Sequence, residues 1–346
     1  MNGKIREAGQ KAEDHSAGPL LDQFGRVHNY LRISLTERCN LRCAYCMPEQ
    51  GLELKAPSHF MSQDEVIAIA SVFVRLGVKK IRLTGGEPLV RKDAAEIIQG
   101  LSRLPVEIAV SSNGILIDKY MDVFRRCGIK SLNISLDSLR EDRFNTITRR
   151  DEFRKVLSNI QLLIDEKFHV KLNAVIMKGV NEDEILDFVE FTRFKPLHYR
   201  FIEFMPFNGN KWNWNKGVSF RELLNTLEKA HPGKVQKLVD KANDTSKSFR
   251  IAGYLGTFAV ISSVTNPFCD TCNRLRLTAD GKMKNCLFSG QETDLLGAFR
   301  KGEELVELIR SSVWHKKSTR GGMSSFEAFS DSTLNQNNRS MITIGG

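Results

Sequence analysis

Hydrophobic and polar positions alternate with a period of two residues in several short segments between residues 30 and 206. In the first segment, Leu31, Ile33 and Leu35 alternate with Arg32 and Ser34. A period of two predicts β-strands, because successive side chains of a strand point to opposite faces. We predict six strands of this kind, at Tyr30–Thr36, Lys79–Thr84, Val106–Ser111, Ser131–Asp137, His169–Met177 and His198–Met205.

Segments with a helical period separate the predicted strands. We predict five helices, near residues 62–76, 92–103, 117–126, 152–166 and 182–193. Ser62 followed by Glu65 has the spacing of a capping box, and Asn181 with Glu184 predicts a cap on the last helix. Strands that alternate with helices predict parallel pairing and right-handed crossovers.

The polar face of these strands is unusual for a parallel sheet. Buried parallel strands are normally apolar along their whole length, because helices cover both faces. Here Arg32, Arg82, Asn133 and Lys171 interrupt the apolar pattern. The apolar faces must pack on the helices, so the polar faces must line a cavity for water or a polar ligand. We therefore expect an α/β fold, an incomplete (β/α)6 TIM-like barrel, since closed eight-stranded barrels fill their interior with branched apolar side chains.

The alternating rhythm stops after Pro206. Residues 219–230 and 294–315 have helical patterns, and Gly253–Val264 predicts two short strands. This part of the chain is expected to form a smaller C-terminal α+β domain. The predicted division is a flexible leader at 1–28, the partial barrel at 29–206, the C-terminal domain at 207–315, and a linker with a Gly-Gly tail at 316–346.

The charge of the chain indicates an anionic partner. Its 346 residues include 51 lysines and arginines against 41 acidic residues, which gives a formal net charge of +10. The basic residues are dispersed and form no run of the kind that marks a nucleic-acid arm. We therefore expect a small anion in a focused site and no nucleic-acid partner. No uninterrupted apolar stretch approaches the length that spans a bilayer.

Three cysteines, Cys39, Cys43 and Cys46, directly follow the first predicted strand with the spacing C-x3-C-x2-C. Three thiolates can hold three irons of a cubane cluster and leave the fourth iron open, which distinguishes a reactive site from a closed structural one. A zinc knuckle is the alternative, but it requires four ligands, and the next histidine is His59. Tight cysteine groups without a secretory signal favour metal binding over disulfides.

A second cysteine trio, Cys269, Cys272 and Cys286, is again one ligand short. A three-thiolate zinc site with a water or a distant fourth ligand is the alternative. Arg274 and Arg276 project to the same side of an extended segment, and guanidinium groups bind phosphate oxygens in pairs. The combination predicts a second iron–sulfur cluster beside the phosphates of a nucleotide.

The run Thr84-Gly85-Gly86-Glu87-Pro88 follows the second predicted strand, and Glu87 offers a carboxylate to an ammonium group. Together with the first trio it resembles the radical S-adenosylmethionine (SAM) superfamily. The resemblance implies a 4Fe–4S cluster on the first trio, with SAM on its open iron and a 5′-deoxyadenosyl radical as the reactive species. The cofactor-binding residues are then Tyr45, Gly86, Glu87, Ser135 and Met205.

The resemblance narrows to one branch of this superfamily, the GTP 3′,8-cyclases of molybdenum cofactor biosynthesis. It extends from about residue 24 to the end and includes the runs 31–43, 81–89, 200–206 and 272–276 and the terminal Gly-Gly. It implies two 4Fe–4S clusters and the conversion of GTP to 3′,8-cyclo-7,8-dihydro-GTP. The implied GTP-binding residues are Arg32, Arg82, Ser111, Lys171, Arg274 and Arg276, and the implied catalytic residues are Arg274, Arg276, Gly345 and Gly346.

The same resemblance implies partners and a location. These are GTP as substrate, a flavodoxin- or ferredoxin-like reductant, and cyclic pyranopterin monophosphate synthase as the next enzyme, with a homodimer allowed. The stretch 205–212 resembles the eukaryotic branch, which implies the mitochondrial matrix, and otherwise the cytoplasm. Two alternatives stay open: a peptide-modifying radical SAM enzyme with an auxiliary cluster, and a zinc- and RNA-binding protein.

Overall fold

The computed structural model describes residues 18–47, 51, 55–323, 325 and 338–345. Within these residues the chain builds one sheet of twelve strands. The strands are β1 (Tyr30–Ser34), β2 (Lys80–Thr84), β3 (Glu107–Ser112), β4 (Ser131–Ser135), β5 (His169–Ile176), β6 (His198–Glu203), β7 (Val235–Lys237), β8 (Lys247–Ile251), β9 (Thr257–Ile261), β10 (Arg274–Leu277), β11 (Lys282–Lys284) and β12 (Thr293–Asp294).

Helices connect the strands and cover the apolar face of the sheet. They are α1 (Gln63–Arg75), α2 (Ala94–Leu101), α3 (Ile117–Arg126), α4 (Glu141–Thr148), α5 (Phe153–Asp165), α6 (Ile185–Glu190), α7 (Phe220–Ala230), α8 (Leu295–Arg300), α9 (Leu305–Trp314) and α10 (Met341–Ile344). In the described part of the chain, no helix combines the length and the apolar character needed to cross a bilayer.

The six strands and five helices predicted before residue 206 are confirmed, with ends that differ by a few residues. Helix α4 was not predicted. The capping box on α1 is confirmed, because the Ser62 hydroxyl accepts from the Glu65 amide (3.3 Å) and the Glu65 carboxylate accepts from the Ser62 amide (2.7 Å). The cap by Asn181 is wrong. Its side chain instead bonds the backbone of Met177 (2.9 Å), because the loop after β5 offers unpaired groups nearby.

The C-terminal strands extend the sheet that the first six strands begin. Strands β1 to β6 are parallel and follow chain order, β10 pairs in parallel with β1, and β9 pairs in parallel with β6. The parallel core therefore contains eight strands, and antiparallel strands continue it at both edges. Of the two strands predicted within Gly253–Val264, only β9 lies there. Its partner β8 precedes the Gly253 turn.

The predicted alternation of faces is observed in the packing. Leu31 and Ile33 of β1 are fully buried against the helix layer, where Phe73 of α1 lies in the same core cluster. On the opposite face, polar side chains are buried as well, including Arg82 and Asn133. Buried polar groups need partners, so this face, and not the helix-covered one, determines what the protein can bind.

Candidate active site

The loop 35–47, which follows β1, carries the first cysteine trio. It turns at Cys43, whose carbonyl accepts hydrogen bonds from the amides of Cys46 (3.0 Å) and Met47 (2.9 Å). Two backbone bonds of 2.9 and 3.1 Å attach the loop to the last turn of α4. The unpredicted helix therefore serves as the platform on which this loop is built.

Burial controls the titration of the first trio. It raises the pKa of Cys39 to about 11, with a further contribution from Glu87, and the pKa of Cys46 to about 12. Burial and the charge of Asp137 raise the pKa of Cys43 well above its ordinary value. The metal-free thiols are therefore protonated near neutral pH, and metal binding must release their protons.

The three thiols are neighbours, since the charges of Cys39 and Cys46 help to raise the pKa of Cys43, and the charge of Cys39 helps to raise that of Cys46. Three thiols in one loop match the donor set of a cubane cluster that keeps one iron open.

The Gly-Gly-Glu turn after β2 packs directly on the cysteine loop. The amides of Gly86 and Glu87 donate to the carbonyls of Thr36 (2.7 Å) and Arg38 (2.8 Å). A Cβ atom on Gly86 would lie 2.4 Å from the Arg38 carbonyl oxygen, so this approach requires glycine. The cysteine loop and the Gly-Gly-Glu turn, the two motifs on which the family resemblance rests, are thus in direct contact in the structure.

The carboxylate of Glu87 faces inward and ties the ends of β2 and β3 together. It accepts hydrogen bonds from the Asn113 amide (2.6 Å), the Ser112 hydroxyl (3.0 Å) and the Leu89 amide (3.1 Å). Burial nevertheless raises its pKa to about 7, against the effect of these bonds. Its expected contact with an ammonium group of SAM stays a prediction.

The other residues expected to bind SAM also lie at the carboxyl ends of parallel strands. The Tyr45 hydroxyl donates to the carboxylate of Asp137 (2.7 Å), just beyond β4. Ser135 ends β4 and pairs in register with Asn173 of β5, while Met205 follows β6. In parallel α/β enzymes this edge of the sheet is where sites form.

A row of arginines crosses the polar face in the middle of the sheet. Arg32, Arg82 and Arg276 occupy the same register position on β1, β2 and β10, and adjacent strands are about 4.8 Å apart. In the described part of the chain, the buried Nε atoms of Arg32 and Arg274 have no hydrogen-bond partner. Clustered cations with unpartnered buried donors indicate the binding place of an anion.

Lys171 and Ser111 join this cation cluster, as predicted. Burial, with the charges of Arg200 and Arg82, lowers the pKa of Lys171 to about 8. The Ser111 hydroxyl lies 3.4 Å from a guanidinium nitrogen of Arg82. These side chains therefore line the same cavity from the β3 and β5 side of the sheet.

Arg200 of β6 also belongs to the cation cluster, although sequence reasoning did not select it. Burial and the neighbouring Arg82 lower its pKa to about 9, and its Nε donates to the Asn173 side chain (2.8 Å). The alternation of the sequence could have identified this residue, because Arg200 lies between the buried Tyr199 and Phe201 and so points to the polar face.

Tyr30, at the start of β1, is a second residue that sequence reasoning missed. Its hydroxyl accepts a hydrogen bond from Arg82 Nε (2.6 Å), and the Arg274 guanidinium lies 5.4 Å from its ring centre. Burial alone would raise the pKa of Tyr30, but the charges of Arg82, Arg32 and Arg274 lower it to about 7. The phenol is thus held within the cation cluster.

The second cysteine trio lies at the opposite end of the parallel strands. Cys269 and Cys272 precede β10, and Cys286 follows the antiparallel β11. Because β10 is parallel to β1, these positions are at the amino end of β1, whereas Cys39 follows its carboxyl end. A five-residue strand is roughly 16 Å long, so the arginine row lies between the two trios.

The surroundings of the second trio are more positive than those of the first. Its three cysteines line one cavity together with Arg274 and Arg276. Burial raises the pKa of Cys269, but the charges of Lys316 and Arg274 outweigh burial at Cys272 and lower its pKa. Cys272 therefore releases its proton to a metal more readily than Cys269 does.

The C-terminal tail reaches the arginine row. The Gly345 carbonyl accepts a hydrogen bond from Arg276 (2.6 Å). Gly345 has a φ of 85°, and a Cβ atom there would lie 2.7 Å from the Thr84 hydroxyl, so the position requires glycine. Gly346, also expected to be catalytic, lies outside the described residues.

Comparisons with known proteins identify the family of this chain. The Radical SAM superfamily model matches residues 33–192, and the Molybdenum Cofactor Synthesis C model matches residues 197–321. The mitochondrial GTP 3′,8-cyclase of Arabidopsis thaliana is 47% identical over 94% of this chain and 83% of its own length. Molybdenum cofactor biosynthesis protein 1 of Drosophila melanogaster is 47% identical over 86% of this chain. The chain spans about half of that protein, 54% of its length.

Among solved structures, Streptococcus suis SuiB bound to S-adenosylmethionine has a similar fold. The TM-score is 0.58 at 16% identity, and the match covers 86% of this chain and 68% of that chain. At this identity the likeness concerns the fold alone, an α/β architecture with a largely parallel sheet.

Proposed function

Because the chain belongs to the GTP 3′,8-cyclase family of the radical SAM superfamily, we propose that it converts GTP to 3′,8-cyclo-7,8-dihydro-GTP in the first step of molybdenum cofactor biosynthesis. The observation that carries this proposal is the row of Arg276, Arg32 and Arg82 between two cysteine trios. A nucleoside triphosphate brings about four negative charges at neutral pH, which the cation cluster can balance.

Membership of the family brings a 4Fe–4S cluster and SAM. In this proposal Cys39, Cys43 and Cys46 hold the cluster, and SAM lies along the carboxyl ends of β1 to β6. When bound, the cluster and SAM supply the one-electron chemistry that starts the reaction. Tyr45 is held at this edge by its hydrogen bond to Asp137, and in this proposal its ring packs on the cofactor.

The cation cluster binds the triphosphate and orients the substrate. Arg32, Arg82 and Arg276 provide the central row, with Lys171, Arg200, Arg274 and Ser111 around it. Fixing GTP in one orientation restricts which hydrogen atom is within reach, so that a reactive species acts selectively. The Gly345 contact with Arg276 completes this part of the cavity.

A second 4Fe–4S cluster on Cys269, Cys272 and Cys286 is part of the proposal. Three thiols at one cavity, next to two phosphate-binding arginines, support it. An open iron there could hold the guanine base. In this proposal the fold is an incomplete (β/α)6 barrel at 29–206 with a C-terminal cluster-bearing domain at 207–315. Strands β9 and β10 of that domain pair with the two edge strands of the barrel sheet, β6 and β1.

The remaining partners are those that the family resemblance implies. The reaction needs a one-electron reductant of the flavodoxin or ferredoxin type, and its product passes to cyclic pyranopterin monophosphate synthase. The Arabidopsis relative is named as mitochondrial, which supports a mitochondrial location, and the family resemblance implies the matrix.

A cysteine variant tests the two-cluster reaction. We expect Cys272→Ala to lose about half of the iron of the anaerobically purified protein and all cyclisation, while SAM binding is kept. Cys127→Ala is the matched control, since Cys127 ends α3, apart from both trios, and should keep full iron and activity. Full turnover by Cys272→Ala, or zinc in place of iron, would contradict the proposal.

Binding of GTP separates this function from peptide modification by a radical SAM enzyme with an auxiliary cluster. A peptide-modifying enzyme has no use for a triphosphate site. We expect calorimetry to detect GTP binding to the wild-type protein, and weak or absent binding would favour the alternative.

A further inference from the structure

Lys316 is a buried cation that the proposed reaction does not use. It follows α9, and only 2% of its surface is exposed. Lysine is seldom fully buried unless it is paired, because removing an ammonium group from water is costly. Its surroundings should therefore show what it binds.

The ammonium group of Lys316 has three donors and three acceptors around it. Its Nζ lies 2.9 Å from the Arg274 carbonyl oxygen, 3.4 Å from the Cys272 sulfur and 3.5 Å from His28 Nδ1. Among the described residues, none of these partners is a carboxylate. Of these three partners, the Cys272 sulfur is the one that becomes anionic, as a thiolate when it binds a metal.

The position of Lys316 is fixed by a second buried pair. Since a lysine can only donate, His28 must accept through Nδ1 and carry its proton on Nε2, which lies 3.0 Å from the Asp22 carboxylate. Both His28 and Asp22 are almost completely buried. Arg26 bonds the same carboxylate (2.6 Å) and also the Cys269 carbonyl (2.8 Å).

We propose that Lys316 is a positioning residue of the second iron–sulfur site, which donates a hydrogen bond to the Cys272 thiolate and makes the reduction potential of the cluster bound there more positive. The inference rests on the proposed function, because it requires a cluster on the second trio. In this proposal the segment 22–28 also contributes to the site. Asp22 orients His28, and His28 contacts the ammonium group of Lys316.

The physical reason is the charge that reduction adds. One-electron reduction makes a cluster and its thiolates more negative, and a hydrogen-bonded cation stabilises the reduced form more than the oxidised form. Among the described residues, no cation is hydrogen-bonded to a thiol of the first trio. The Asn113 amide approaches Cys39 at 3.8 Å, and Arg150 acts on Cys39 only through its charge. Burial and the carboxylates of Glu87 and Asp137 act in the opposite direction and raise the pKa values of Cys39 and Cys46.

The test uses the full chain with Cys39, Cys43 and Cys46 replaced by alanine, so that only the second cluster remains. This protein is reconstituted anaerobically, its iron is counted, and the cluster is titrated with a reductant while its electron paramagnetic resonance signal is followed. Lys316→Met is compared with Lys317→Met, because Lys317 is the exposed neighbour of the same charge.

We expect Lys316→Met to keep its iron and to shift the reduction potential to a more negative value, with no shift for Lys317→Met. Lys316→Gln keeps a neutral donor and should show a smaller shift. An unchanged potential in Lys316→Met at full iron content would overturn the inference. Loss of iron from both Lys316 variants would also overturn it, since the lysine would then be a structural support.

Failure of the proposed function has a different signature. If the unsubstituted Lys316 protein in this background takes up no iron, or binds zinc, the second cluster itself is absent, and the inference falls together with the proposal. When the unsubstituted Lys316 protein does load its cluster, an unmoved potential or a loss of iron in the Lys316 variants counts against the role of Lys316 alone.

Discussion

Single charged residues decide what the polar face of the sheet can bind. An unpaired buried guanidinium is costly, so the unpartnered Nε atoms of Arg32 and Arg274 represent free energy that an anion recovers on binding. Arg200 contributes to the same cluster from the other side of the cavity. Each of these cations therefore offers a separate test of the triphosphate site.

Arg200→Met should weaken GTP binding by about tenfold to a hundredfold, because a hydrogen bond to a charged group contributes roughly 1.5–3 kcal/mol. Calorimetric titration with GTP measures the effect. Arg193→Met is the matched control, since Arg193 is exposed and pairs with Glu190 on the surface (3.0 Å). Equal affinities of the two variants would remove Arg200 from the substrate site.

GTP affinity should fall as the pH rises through about 7, the pKa of Tyr30 in the ligand-free protein. The added phosphate charges oppose an ionised phenol, so the bound state favours protonated Tyr30, and at higher pH a proton must be taken up. Calorimetry from one pH unit below to one unit above this value tests the slope. Tyr30→Phe should flatten it, and a slope that Tyr30→Phe leaves unchanged would assign the pH dependence elsewhere.

At the scale of elements, the site depends on close contacts between loops at strand ends. The cysteine loop is fixed by two elements that are distant in sequence, the Gly-Gly-Glu turn after β2 and the last turn of α4. Glu87 stabilises the Gly-Gly-Glu turn, because its carboxylate accepts hydrogen bonds from the end of β3. Small displacements of these loops should therefore move the thiols of the first trio.

Gly86→Ala should lower iron incorporation at the first trio and weaken SAM binding. Its Cβ atom would lie 2.4 Å from the Arg38 carbonyl oxygen, so the cysteine loop must move away. Iron counting and SAM titration after anaerobic reconstitution measure the effect. Gly18→Ala provides the control, because no atom lies within 4 Å of the added methyl group. Normal iron and SAM binding in Gly86→Ala would show that the loop tolerates the shift.

At the scale of the whole molecule, the last described residues connect the C-terminal strands with the substrate cavity. Arg339 forms two hydrogen bonds with Asp280 (2.8 and 3.0 Å) and one with Glu292 (2.5 Å). Six residues later, the Gly345 carbonyl bonds Arg276. The tail is thus attached at both ends of α10.

Arg339→Met should release the tail, so that the amides of residues 341–345 exchange hydrogen faster. The bridge is mostly buried, and its loss should cost on the order of 2 kcal/mol of local stability, which corresponds to roughly 30-fold faster exchange. Mass-spectrometric hydrogen exchange measures this. Arg154→Met, which breaks the exposed pair with Glu141, should leave the tail unchanged. Unaltered exchange in Arg339→Met would mean that the buried Ile342 and Ile344 and the Gly345 contact hold the tail without this bridge.

The sequence by itself determined the alternating strands, their helices, the two cysteine trios and most of the cation cluster. These features follow from local periodicity and spacing, since a period of two places Arg32, Arg82 and Lys171 each on the polar face of its own strand. It did not predict the cap role of Asn181 correctly, because that side chain had other partners once the chain folded.

Tertiary structure alone decided how these parts meet. Parallel pairing of β10 with β1 brings Arg276 beside Arg32 across more than two hundred residues and places the second trio at the opposite end from the first. No local pattern encodes such a pairing, because it depends on which sheet edge the C-terminal strands find free. The role of Lys316 also depends on tertiary structure, because it follows from the burial of its ammonium group against Cys272 and His28, which are distant in sequence.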